Sequence, residues 1–140
     1  MNLSREAKIV SGLILLVVPT IMYGGLTLLS LRTHGVAGLQ PGNVTLTEDQ
    51  LSLWRAGHAH AGVWVLLSLV IQVLVDGARL SRPLAWTARL SAPVAAVLVS
   101  GGFFGLAFVP GFRWLLYVGG GSLAVSVVLT GVGLLRAVRE

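Results

Sequence analysis

The chain predicts an all-α fold: a four-helix integral membrane protein in which residues 1–140 form one domain. Three observations predict it. The 140 residues are 55% hydrophobic and only 11% are charged. Mean hydropathy is +0.87. The apolar residues fall into four stretches, each close to the roughly 20 residues needed to cross the hydrocarbon core as a helix. A soluble domain of this length cannot hide so much apolar surface.

The first stretch runs from about Ile9 to Leu31. Arg5 and Lys8 precede it, as in the basic region of a signal peptide. The run is longer than a signal core, and no small-x-small site follows it, so an uncleaved helix is expected. About 25 residues then connect it to the second stretch, about Gly57 to Val75. A connection that long in a small bundle is expected to cover something. Within it, Thr47-Glu48-Asp49-Gln50 reads as a helix start, with Thr47 as cap and Gln50 three residues on. A short amphipathic helix through Leu51, Leu53 and Trp54 is expected at the outer interface, anchored by Trp54. The third stretch runs from about Leu90 to Val109 and the fourth from about Trp114 to Leu135. Pro110-Gly111 between them predicts a tight turn and antiparallel neighbours.

The formal net charge is +5. On such a chain the excess reads as topology rather than as nucleic-acid binding. Arg5, Lys8, Arg79, Arg82, Arg89, Arg136 and Arg139 belong to one side, and Arg32, Arg55 and Arg113 to the other. The bias places both termini in the cytoplasm, and the composition fits a bacterial inner membrane. Asp76 reads as a solvated helix end. Gln72 is expected to hydrogen-bond across helices. The 18 glycines include Gly24-Gly25, Gly101-Gly102 with Gly105, and Gly119-Gly120-Gly121, all inside spans. They suit either close helix packing or room for a flat cofactor.

No cysteine is present. Disulfides, thiolate-held metals, iron–sulfur clusters and covalently attached haem are excluded. There is no nucleophile–base set, no phosphate-binding loop and no carboxylate pair within a span. What remains is histidine. His58 and His60 stand in Leu53-Trp54-Arg55-Ala56-Gly57-His58-Ala59-His60-Ala61-Gly62, near the outer face. Imidazole is costly near lipid, so it faces a cavity or a partner, and it is a common ligand of haem iron and of copper. Residues two apart on a helix point about 200° apart. The pair therefore serves two sites on opposite sides of the helix, or grips one ion if the segment is still extended at Gly57. The small residues around the imidazoles clear space that a planar macrocycle needs. His34 lies on the same side as an interfacial residue or a third ligand. Arg55 and Arg113 are there too, as headgroup contacts or as partners for haem propionates.

From about residue 9 to 75 the chain resembles the start of the catalytic subunit of haem-copper oxidases. The matching runs are Leu39-Gln40-Pro41-Gly42, then Leu46-Thr47-Glu48-Asp49-Gln50, then Trp54-Arg55-Ala56-Gly57-His58-Ala59-His60. The resemblance implies axial haem ligation by His58 and His60. That family's twelve helices form three arcs of four, one with a His-x-His at the outer end of its second helix. By that likeness, a homotrimer of this chain rebuilds the twelve-helix body, with haem between protomers. No residues here match the family's copper-binding histidines or its cross-linked tyrosine. The resemblance thus implies haem b with electron transfer or diatomic gas binding, through a redox partner it does not name. Two other readings stand beside it: a copper or zinc site built from His58, His60 and His34, and a cofactor-free accessory subunit.

Overall fold

A computed structural model describes residues 3–40 and 42–138. Pro41 of the loop motif and Arg139 of the C-terminal basic pair lie outside the described residues. Four long helices follow in order: α1 (Arg5–Arg32), α2 (Glu48–Asp76), α3 (Arg82–Leu106) and α4 (Arg113–Ala137). All four are long and apolar enough to cross a membrane. The chain has the build of a multi-pass membrane protein.

The first two helices start before their apolar stretches because their N-terminal ends are capped. Ser4 accepts from the Ala7 amide at the start of α1. Thr47 and Gln50 form the expected capping box, each side chain bonding the other's backbone amide. Once capped at Thr47, the helix continues unbroken to Asp76. There is no separate amphipathic helix before α2, which corrects that expectation. At 29 residues, α2 is roughly 43 Å long at 1.5 Å per residue. The Trp54 ring packs edge-on against Phe104 at 5.6 Å and Phe108 at 6.1 Å. Pro110–Phe112 makes a single 3₁₀ turn, η1, that reverses the chain between α3 and α4.

Consecutive helices pack side by side, and α1 and α4 make no contact among the described residues. The result is an open arc. The α3–α4 seam is built from small residues. Buried Gly119 and Ser126 of α4 face α3, whose buried residues include Ala88, Ala92, Ala95 and Ala96, and buried Gly133 faces Ala78 and Leu80 of the α2–α3 connection. Small side chains let the backbones approach. Ser126 and Ser122 then donate to the Ala88 and Ser91 carbonyls, at 2.7 and 2.9 Å.

The α2–α3 contact is polar at the end of the molecule that carries the termini. Pro93 sits inside α3 and has no N–H to bond the carbonyl four residues earlier, that of Arg89. Gln72 supplies the missing donor from α2, with Nε2 at 2.9 Å from the Arg89 oxygen. Arg89 reciprocates to the Gln72 carbonyl, also at 2.9 Å, and its other guanidinium nitrogen bonds Asp76 and the Ser4 hydroxyl. The Ser4 amide donates to Asp76 at 2.8 Å. Asp76 is therefore one half of an ion pair, not a solvated helix end. Gln72 bonds across helices as expected.

Past α1 the chain folds back on it: the Leu39 amide bonds the Leu26 carbonyl at 3.1 Å. Gly38 makes this possible with φ +86°, its α-carbon pressed against the α1 backbone.

Two sets of variants test this packing by thermal unfolding in detergent. Gln72→Leu strands the Arg89 carbonyl and is expected to destabilise by about 1–3 kcal/mol. Gly119→Ala puts a methyl 2.6 Å from Val99 Cγ2 and is expected to cost about 1–3 kcal/mol. Gly121→Ala meets nothing within 4 Å and is expected to be neutral or stabilising.

Candidate functional site

His58 and His60 lie well inside α2, ten residues and more past its start at Glu48. The segment is regular helix at Gly57, so the extended conformation in which both imidazoles grip one ion is not adopted. Helical periodicity sends the rings to different neighbours.

His58 turns to α1. A methyl group on Gly25 would lie 3.1 Å from His58 Nε2, and one on Gly24 would lie 3.6 Å from Nδ1. Gly25 is thus what lets the imidazole lie close on the α1 backbone, while a methyl at Gly24 would make ordinary contact with it. His58 has no hydrogen-bond partner among the described residues. Its ring borders two voids. One is a cavity of about 280 Å³ between α1, α2 and α3, walled by residues such as Ile21, Val65, Pro93 and Phe104. The other, about 340 Å³, opens on the α1–α2 flank and is rimmed by Arg32 and Arg55. An apolar cavity and a basic rim thus meet at one imidazole.

The cavity follows from how α1 packs. Ala7, Val10 and Ile14 in its first half are buried. Beyond Ile14 the helix parts from α3. Ser100, 7% exposed, stands on the cavity wall, and its hydroxyl has no partner among the described residues. A buried hydroxyl left unpaired costs free energy, so the wall carries an unsatisfied hydroxyl besides the unpaired imidazole of His58.

His60 turns to α3. Its Nδ1 lies 2.7 Å from the Ala56 carbonyl. Its ring centroid is 4.9 Å from that of Phe103 and 5.5 Å from that of Trp64. It does not line the cavity beside His58.

The other sequence-predicted residues divide. Arg55 is brought to His58. Arg113 is exposed, with its guanidinium carbon 5.8 Å from the Trp114 ring centroid, and lines neither void at His58. His34 is exposed at φ +51° and borders a separate pocket under the 33–47 loop. No group of three or more His, Cys, Asp or Glu side chains converges among the described residues, so one chain does not gather His34, His58 and His60. Tyr23 and Tyr117 are exposed and line neither void. Of the glycines in the spans, Gly102 and Gly119 serve packing, Gly25 makes room for His58, and Gly101, Gly120 and Gly121 face open space. Sequence reasoning missed Arg32 and Ser100. Arg32 had a signal, since it stands seven residues after Gly25 and so two helical turns along the same face. Ser100 had none.

Fold and site define a class: a four-helix protein of multi-pass membrane build, with a histidine at the junction of an apolar cavity and a basic rim. Comparison with protein families, curated proteins and solved structures finds no match to the chain.

Gly25→Leu fills the space under the imidazole and is expected to push His58 out of the α1–α2 seam. The rate of its modification by diethyl pyrocarbonate then rises while helicity by circular dichroism is kept. An unchanged rate contradicts the assignment of Gly25 to His58.

Proposed function

We propose that the chain is an integral-membrane haem b protein, related to the haem-copper oxidase core, with His58 and His60 as axial ligands, that carries electrons or binds a diatomic gas. The observation that carries the reading is the setting of His58. An imidazole without an internal partner stands between an apolar cavity and a rim with Arg32 and Arg55. Haem has the same distribution of polarity, a flat apolar ring with two carboxylates at one edge. Apolar walls with a few placed polar groups suit such a ligand, and guanidinium suits its carboxylates.

When bound, haem supplies a one-electron iron couple. The residues of the chain do the rest. The imidazoles would supply lone pairs to the iron, Arg32 and Arg55 would neutralise the carboxylates, and the aliphatic walls would keep water from the ring. His58 and His60 face different helices, so one chain does not offer both to one iron. A homotrimer does, with His58 from one protomer and His60 from its neighbour on each haem. The open arc favours this, since α1 and α4 leave each other free to meet neighbouring copies. The proposed setting is a bacterial inner membrane with both termini cytoplasmic. Its support is the excess of Arg5, Lys8, Arg79, Arg82 and Arg136 over Arg32, Arg55 and Arg113. Arg89 is left out of that comparison because Asp76 neutralises it.

The test is the absorption spectrum of the detergent-purified protein, oxidised and then reduced with dithionite. A Soret band with sharp reduced α and β bands, near one haem per chain, and a native mass of three chains are expected. A colourless protein after haem is supplied during expression sinks the reading. Copper or zinc found without a Soret band points instead to a metal site.

A further inference from the structure

The two histidines are held unequally. His60 Nδ1 lies 2.7 Å from the Ala56 carbonyl, one turn back on its own helix. A carbonyl only accepts, so Nδ1 carries the proton and the lone pair of the neutral ring sits on Nε2. Phe103 and Trp64 flank the ring. The tautomer and the orientation of His60 are thus both set before any ligand arrives, as they are in metal-ligating histidines whose other nitrogen donates to a carbonyl. His58 has no such support. It lacks a hydrogen-bond partner among the described residues, rests on the backbone of Gly24 and Gly25, and has open volume on two sides.

We infer that His60 is the fixed axial ligand and His58 the exchangeable one, so that the cavity beside His58 admits a small, neutral, lipid-soluble molecule that takes the place of His58. This rests on the haem reading above. The cavity suits that class of ligand. Its walls are aliphatic and aromatic, and its borders include Val17 and Val97, which are 47% and 69% exposed on the outside of a chain built to face lipid. A molecule dissolved in the bilayer reaches it without crossing water; an ion does not. The exchange is a ligand substitution. The lone pair of His58 leaves the metal and a lone pair of the incoming molecule replaces it, with no electron or proton transferred. The displaced ring would return to the backbone of Gly24 and Gly25, where it lies in this structure.

The experiment uses the haem-loaded protein and its His58→Ala and His60→Ala variants, reduced, with carbon monoxide as the probe. The His58→Ala variant is expected to keep most of its haem, to become high-spin, and to bind carbon monoxide at least roughly tenfold faster than the parent. The His60→Ala variant is expected to lose haem affinity by more than roughly 10–100-fold, the scale of loss when only a ligand's support is removed. Equal loss of haem in both variants, or greater loss in His58→Ala, overturns the assignment. A parent protein without haem fails the haem reading instead. Nitrogen-15 NMR of the haem-free parent separates the two failures and does not depend on a variant that folds. His60 is expected as the Nδ1–H tautomer, and an Nε2–H tautomer overturns the asymmetry itself.

Discussion

Pro93 leaves the carbonyl of Arg89 without the amide that would bond it, and Gln72 fills that gap from the neighbouring helix. The same pair of residues shares a second bond in the other direction. Around it, Arg89, Asp76 and Ser4 tie together the start of α1, the end of α2 and the first turns of α3. Inside a bilayer an unpaired guanidinium or carboxylate is expensive, so these partners are not free to separate. A buried ion pair adds little net stability by itself, but losing one partner is severe. Its effect here is on arrangement: it sets which three helix ends lie together.

That constraint acts at one end of the arc only. There α1 is buried through Ala7, Val10 and Ile14. At the other end α1 is held by different means: the imidazole of His58 over Gly24 and Gly25, and the returning chain at Leu39. Between these fixed ends α1 does not close on α3, and the cavity occupies the gap. The fold thus has a firmly joined half and a looser half, and the histidines belong to the looser one.

Much of this was legible in the sequence. Four apolar stretches gave four helices, Thr47 and Gln50 gave the start of α2, and the i, i+2 spacing put His58 and His60 on different faces. What was not legible depended on tertiary partners. Asp76 reads as a solvated end because nothing local reveals that Arg89, 13 residues on, folds back to it. The packing of Trp54 is hidden because its partners Phe104 and Phe108 are some fifty residues away. The capping box was seen, but a cap marks where a helix begins, not whether it stops before the next apolar run. The grouping of Arg55 with Arg32, rather than with Arg113, follows from the pairing of α1 with α2. Periodicity within either helix does not contain that pairing.

The junction at Arg89 also bears on how the protein is made. Taken alone, α3 carries an unpaired guanidinium two turns past its start at Arg82, and an unpaired charge is costly to place near lipid. Synthesis delivers Gln72 and Asp76 first, and only five residues separate the end of α2 from the start of α3. When Arg89 emerges, its counter-charge and its backbone acceptor are already at hand. The third helix need not enter the membrane as an independent segment. Within the α2–α3 hairpin the guanidinium of Arg89 and its backbone carbonyl both find partners on α2, so the hairpin carries the means to pair its own polar groups.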